Sequence, residues 1–73
     1  MISNKLHNHV IRNVSYDIGN KTMVVELTQG SVVKYSPVPY DVYLTLVNSR
    51  FPEKIYRHQV MGIIPEIYRK NSL

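Results

Sequence analysis

Three consecutive segments in the first half of the chain alternate apolar and polar residues, and this pattern limits the possible fold more than any other feature. The segments span about 10–18, 22–28 and 31–36. Their apolar positions, spaced by two, are Val10, Val14, Tyr16 and Ile18, then Met23, Val25 and Leu27, then Val33 and Tyr35. Period two with many β-branched residues predicts three short β-strands that share one apolar face.

The turn between the second and third segments fixes their register. If Met23 and Val25 share a face with Val33 and Tyr35, Val25 pairs with Val33 and a three-residue loop over 28–30 remains. Gly30 ends that loop, where a left-handed conformation is needed and glycine adopts it without steric cost. A two-residue loop would instead bring a lysine into the core, which costs free energy. The sequence therefore predicts a hairpin of this register.

The first hairpin follows from the same argument. A two-residue loop at Gly19-Asn20 sets Tyr16 beside Met23. Glycine in the first loop position favours a type II′ turn. Because both hairpins share one apolar face, they predict a three-stranded antiparallel meander.

A sheet with one apolar face requires a covering layer. Pro37 and Pro39 end the third strand, since proline cannot donate to the strand ladder. Apolar residues then recur at helical spacing, at Val42, Tyr43, Leu46 and Val47. This spacing predicts a covering helix from Pro39 or Tyr40 to Asn48.

The last third of the chain is less regular. Pro52 to Met61 favours a second, shorter helix with Gly62 at its C-cap, and a strand remains the alternative. The segment from Pro65 to Asn71 predicts a last helical turn or an irregular end. The predicted fold is α+β, a single domain over 1–73: a three-stranded antiparallel β-meander covered by one α-helix, with a short basic helical C-terminal segment.

Length and composition exclude several classes of protein. At 73 residues the chain is too short for a two-domain enzyme or a full nucleotide-binding fold. It has no cysteine, so no disulfide or thiolate-bound metal is expected. Its apolar runs are far below the roughly 18 residues of a membrane span, and its first ten residues do not form a signal peptide. We therefore expect a cytoplasmic protein without membrane contact.

No group of residues has the spacing of a catalytic site. The five carboxylates are scattered, and Gly19 and Gly30 are turn residues rather than a phosphate-binding loop. His7 and His9 could chelate a metal with His58 as a third ligand, but no acidic residue neighbours the pair. We predict a protein that is not an enzyme and has no metal, cofactor or small-molecule substrate.

Basic residues are concentrated after residue 49. Residues 50–73 hold five Lys or Arg and two Glu, a net charge of +3 out of +4. Within this region, 52–58 (PEKIYRH) is echoed by 65–70 (PEIYRK), and each copy places a tyrosine before cationic side chains. Tyrosine stacks on unpaired bases and arginine contacts bases or phosphates, so the pattern predicts RNA binding. The alternative is that Ile55 and Tyr56 pack on the sheet while Glu53 and Arg57 pair in solvent.

The predicted RNA-binding residues come from both copies and from nearby basic positions. They are Tyr56, Arg57, His58, Tyr68, Arg69 and Lys70, with Lys34 and Arg50 as electrostatic contributors and Tyr35 as a further aromatic. The second hypothesis is a protein–protein interaction module that forms a homodimer, because a three-stranded sheet leaves its first and third strands open to another chain.

A longer spacing pattern runs through the same elements. It comprises Tyr16-Asp17, Met23, Val25, Leu27, Gly30, Val33, Tyr35, Val38-Pro39, Val42-Tyr43, Leu46 and Ser49. This pattern resembles the KTSC domain, a family named after the C-terminus of some lysyl-tRNA synthetases, with free-standing bacterial and phage members. The resemblance covers about 6–56, leaves a basic extension over 57–73, and implies a single-domain fold with a suggested RNA-binding role.

The chain departs from the family pattern at three places. Val33 stands where the family has the first tyrosine of a Tyr-x-Tyr strand, so only Tyr35 carries over. Asn8-His9 replaces a serine pair, and Arg50-Phe51 replaces the glycine that follows the helix. Valine at position 33 cannot stack on a base as a tyrosine would.

Overall fold

A computed structural model describes residues 1–71, so the last two residues of the predicted domain lie outside the described part. Its elements in chain order are β1 (Ile2–Lys5), β2 (Ile11–Asp17), β3 (Thr22–Leu27), β4 (Val32–Tyr35), α1 (Tyr40–Asn48), α2 (Pro52–Ile55) and β5 (Glu66–Lys70). A π-helical segment, Tyr56–Val60, continues α2. The strands form one antiparallel sheet in the order β1-β2-β3-β4-β5. The α+β class is confirmed.

The three predicted strands form the interior of the sheet, in the predicted register. Val25 lies opposite Val33, and Tyr16 lies opposite Met23. Gly30 has a φ of 104°, the left-handed region that the short β3–β4 loop requires. The side-chain alternation and the loop chemistry therefore gave the same answer as the folded chain.

The predicted type II′ turn between β2 and β3 is wrong. The strands end one residue earlier on each side, which leaves a four-residue turn, and Lys21 takes the positive φ of 53° rather than Gly19. The Asp17 carboxylate accepts hydrogen bonds from the Gly19 N–H at 3.1 Å and from the Asn20 amide at 2.8 Å. The hydrogen bond from the Asn20 side chain is the main cause that lowers the pKa of Asp17. These bonds organise the turn around a carboxylate, so the glycine is not needed at φ > 0.

Two strands at the edges of the sheet were not predicted, and the meander has five strands rather than three. β1 pairs with β2, and β5 pairs with β4. The predicted helical turn over 65–71 is therefore wrong, because its backbone completes the hydrogen bonding of β4, which would otherwise be an open edge. All five β5 side chains are exposed, so no buried stripe marks it in the sequence.

The helices cover one face of the sheet. The predicted covering helix is confirmed as α1, and the predicted second helix is present as α2 with its π-helical continuation, so two helical segments rather than one form the layer. The core unites strand and helix side chains: Ile11, Val14, Tyr16, Met23, Val25, Val33, Tyr35, Val38, Tyr43, Leu46, Tyr56 and Val60. Gly62, at φ 76°, turns the chain toward β5. Within residues 1–71, no helix has the length and hydropathy needed to cross a membrane.

Candidate nucleic-acid interface

The sheet has a second face, which points away from the helices and is called the open face below. Side chains alternate between the faces of a strand, and directly paired residues share a face. The strand register therefore assigns to the open face Ser3, Lys5, Asn13, Ser15, Asp17, Thr22, Val24, Glu26, Val32, Lys34, Tyr68 and Lys70. No described helix packs over these residues, because the core lies on the other side.

A cross-strand row on the open face ends in an aromatic ring. Val24 of β3 pairs with Lys34 of β4, which pairs with Tyr68 of β5. The Lys34 ammonium lies 5.2 Å from the centroid of the Tyr68 ring, which is within cation–π range. The Tyr68 side chain remains 48% exposed. The row thus presents a positioned tyrosine to solvent beside a lysine.

The neighbouring row adds a second apolar position and another cation. Val32 of β4 pairs with Lys70 of β5, and both Val32 and Val24 are half-buried. The single ion pair within residues 1–71 joins two other residues, so Lys34 and Lys70 have no carboxylate within 4 Å. The open face near β5 therefore combines an apolar surface, an exposed ring and two lysines that form no ion pair within residues 1–71, with Glu26 paired to Val32 on the same face.

Two of the predicted aromatic residues lie in the core instead. Tyr35 and Tyr56 are only 2% and 3% exposed, and their hydroxyl oxygens are 2.6 Å apart in a hydrogen bond. Burial, followed by the hydrogen bond with Tyr56, raises the pKa of Tyr35. These rings hold the sheet against the helical layer and are not available for stacking on a base.

Arg69 lies on the helix side of β5 and is already paired. Its guanidinium donates to both Glu66 carboxylate oxygens, with the shortest contact at 2.8 Å. Residues three apart on a regular strand lie on opposite faces, but Ile67 is an extra residue in the β4–β5 ladder and brings the two side chains together. The hydrogen bond from Arg69 lowers the pKa of Glu66.

The remaining predicted residues belong to the helical layer. Arg57 and His58 are exposed on the π-helical segment, and Arg50 is exposed between the two helices. The near-repeat thus folds as a helix in its first copy and as a strand in its second. In the first copy Tyr56 packs in the core, while Glu53 accepts a hydrogen bond from Asn8. Only Lys34, Tyr68 and Lys70 of the predicted set meet on the open face.

Sequence reasoning overlooked the apolar part of this surface and one lysine. Val24 and Val32 occupy the polar phase of the alternation, and Lys5 lies on β1, which pairs with β2. The signal was present, because the same period that defines the core face also defines the opposite face. For metal binding, residues 1–71 contain no group of three potential ligands, and His7 and His9 lie outside any such cluster.

Comparison with known proteins identifies one family. The family model described as the KTSC domain matches residues 7–62. No curated protein matches the chain. The match confirms the resemblance drawn from the sequence, and it includes β2, β3, β4 and the helical layer. Both edge strands, β1 and β5, lie outside the matched residues.

Proposed function

This chain belongs to the KTSC domain family, and from that premise we propose that it binds single-stranded RNA on the open face of its sheet, without catalysis. One observation carries the proposal: Tyr68 is exposed between Lys34 and Lys70 on a face that no described helix covers. We also propose that the protein is cytoplasmic, because the chain has no cysteine and so none of the disulfides that are common in small secreted domains.

Each side chain of this surface has a distinct role in the proposal. The Tyr68 ring stacks on one unpaired base, an interaction worth about 1–3 kcal/mol per base. The half-buried Val24 and Val32 provide an apolar surface for a neighbouring base or ribose. Lys34 and Lys70 contact phosphates, since neither forms an ion pair within residues 1–71.

The geometry favours unpaired RNA over a duplex. A sheet face is broad and shallow, and the exposed ring needs a base whose flat side is free. The bases of a duplex are stacked on each other and unavailable to Tyr68. Lys34 already lies over the Tyr68 ring, so it positions the aromatic side chain before RNA arrives.

The test is fluorescence polarisation with a labelled single-stranded RNA of about ten nucleotides at low salt. Tyr68→Ala should weaken binding by about 5- to 150-fold, the equivalent of 1–3 kcal/mol, whereas Tyr68→Phe should bind as the parent does. Arg57→Ala is the matched control, because Arg57 is exposed on the helical layer. Equal affinity of Tyr68→Ala and the parent chain would remove the open face as the RNA site.

Salt dependence gives a second readout of the same titration. Replacing Lys34 or Lys70 by Gln should reduce the slope of log affinity against log salt by about 0.7 each, one phosphate contact per lysine. Lys54→Gln is the control, since Lys54 lies over the Phe51 ring on the helical side. A slope that falls by the same amount in all three variants would indicate attraction to overall charge and contradict a defined site.

A further inference from the structure

The two edge strands of the sheet differ in the burial of their side chains and in the contacts that these side chains make with the rest of the fold. On β1, Asn4 is half-buried and donates a hydrogen bond to the Tyr43 hydroxyl. On β5, all five side chains are exposed, and its outer edge has no neighbouring strand within residues 1–71. An open edge with exposed apolar residues is a template for pairing with another chain.

Apolar side chains accumulate beside the β5 edge. Ile67 is 56% exposed on the strand, and Met61 and Ile63 are 46% and 66% exposed on the segment that leads into it. This segment and the strand border an open groove of about 350 Å³. Ile67 is the extra residue of the β4–β5 ladder, so an exposed isoleucine lies on this edge between Glu66 at its start and the basic residues at its end.

The order of charges along β5 selects the direction of pairing. Glu66 opens the strand, and Arg69 and Lys70 close it. An antiparallel arrangement places the acidic start of one strand beside the basic end of the other. A parallel arrangement would oppose like charges, which destabilises a strand pair. The strand is thus complementary to a second copy of itself.

We propose that two copies of this chain pair antiparallel along β5, about a two-fold axis at Tyr68. In this register Tyr68 lies opposite the partner's Tyr68 on the open face. Arg69 lies opposite the partner's Ile67 on the helix side, beside the partner's Glu66. A register centred on Arg69 would instead oppose two guanidinium groups. The result is a continuous ten-stranded sheet with a symmetric interface.

The pairing joins two ion pairs into one network. Within one copy, Glu66 and Arg69 form an ion pair with a shortest contact of 2.8 Å. In the dimer each Arg69 also lies beside the partner's Glu66, so positive and negative groups alternate across the interface. The two open faces become continuous, with the Tyr68 side chains adjacent at the centre. The inference rests on the edge itself and does not depend on RNA binding, so all measurements are made without RNA.

The first test is the mass in solution, measured by size-exclusion chromatography with light scattering over a concentration series. The parent chain should approach twice 8.5 kDa as concentration rises. Ile67→Lys should raise the dissociation constant at least tenfold, because in this register the new lysine lies opposite the partner's Arg69 and like charges destabilise a strand pair. Ile18→Lys is the matched control, since Ile18 is 60% exposed in the β2–β3 turn, and it should dimerise as the parent does.

The second test exchanges charges. Glu66→Arg alone and Arg69→Glu alone should each be monomeric, because each places four like charges across the axis. An equimolar mixture of the two variants should form a heterodimer, which also shows that both fold. A parent chain that stays monomeric at all concentrations, a dimer unaffected by Ile67→Lys, or a mixture that stays monomeric would each overturn the proposal.

Discussion

The interior of the sheet and its two edges follow different rules in this protein. β2, β3 and β4 lie within the family match, place their alternate side chains in the core, and keep the register that the sequence predicts. β1 and β5 lie outside the match and are mostly exposed. A strand with one buried face needs an apolar residue at every second position, so its sequence shows a period of two. A strand that is held mainly by its backbone hydrogen bonds places no such requirement on its side chains.

The interior strands form the stable core of the protein, whereas the edge strand β5 carries most of the residues that we propose to bind a partner. The interior strands and the helices supply a family fold whose core is complete without any β5 side chain. The ring and the lysines of our proposals lie at or beside an edge: Tyr68 and Lys70 on β5, and Lys34 on the adjacent strand. We therefore expect substitutions in the interior to change stability, and substitutions on β5 to change binding and association.

The largest contrast is between a core side chain and an edge side chain. Met23→Ala should lower the free energy of unfolding by about 2–5 kcal/mol, because Met23 is fully buried on β3. Ile67→Ala should change it by less than about 0.5 kcal/mol at low micromolar concentration. Chemical denaturation followed by circular dichroism measures both. Comparable losses in the two variants would mean that the edge is part of the core.

The second prediction concerns alkaline pH. Burial is the main cause that raises the pKa of Tyr16, Tyr35 and Tyr43 above their ordinary value of 10.0. Above pH 10 the unfolded chain loses phenolic protons that the folded chain retains, so stability is full below pH 10 and falls as pH rises.

Denaturation at a series of pH values from about 7 to 12 measures this fall. Tyr35→Phe should make it shallower, since one of the protected hydroxyls is gone. The stability of the variant at neutral pH serves as the control for folding. An unchanged alkaline slope in Tyr35→Phe would contradict the assignment of the effect to Tyr35.

The smallest predicted effect distinguishes the two interior turns. Gly30→Ala should cost about 1–2 kcal/mol, because Gly30 has a φ of 104°. Gly19→Ala should change stability by less than about 0.5 kcal/mol. An added Cβ at Gly19 would lie 3.5 Å from the nearest Asp17 carboxylate oxygen, an ordinary contact. Thermal unfolding of the two variants measures both effects. A larger loss of stability in Gly19→Ala than in Gly30→Ala would support the type II′ turn predicted from the sequence.

The elements predicted correctly from the sequence are those with one buried face, because the spacing of their apolar residues indicates both the type of element and the face that is buried. The register of Val25 with Val33 followed from alternation and a glycine, and α1 followed from its helical spacing. The candidate site was predicted less well, because Tyr56 and Tyr68 occupy equivalent places in a near-repeat but opposite environments. One is in the core on a π-helical segment, and the other is exposed on a strand. The local sequence does not distinguish the two tyrosines. The second segment is a strand because its backbone pairs with β4, whereas the first is helical.

The sequence by itself determined a small α+β domain, the register of its three central strands and the helix that covers them. Each of these depends on contacts between near neighbours in the chain or on the period of a half-buried strand. Only the tertiary structure decided that β1 and β5 complete the sheet, and that Lys34, Tyr68 and Lys70 share its open face. These strands join the sheet through backbone hydrogen bonds, which depend little on the side chains, and β5 pairs with residues more than thirty positions away. A local sequence pattern therefore does not show them.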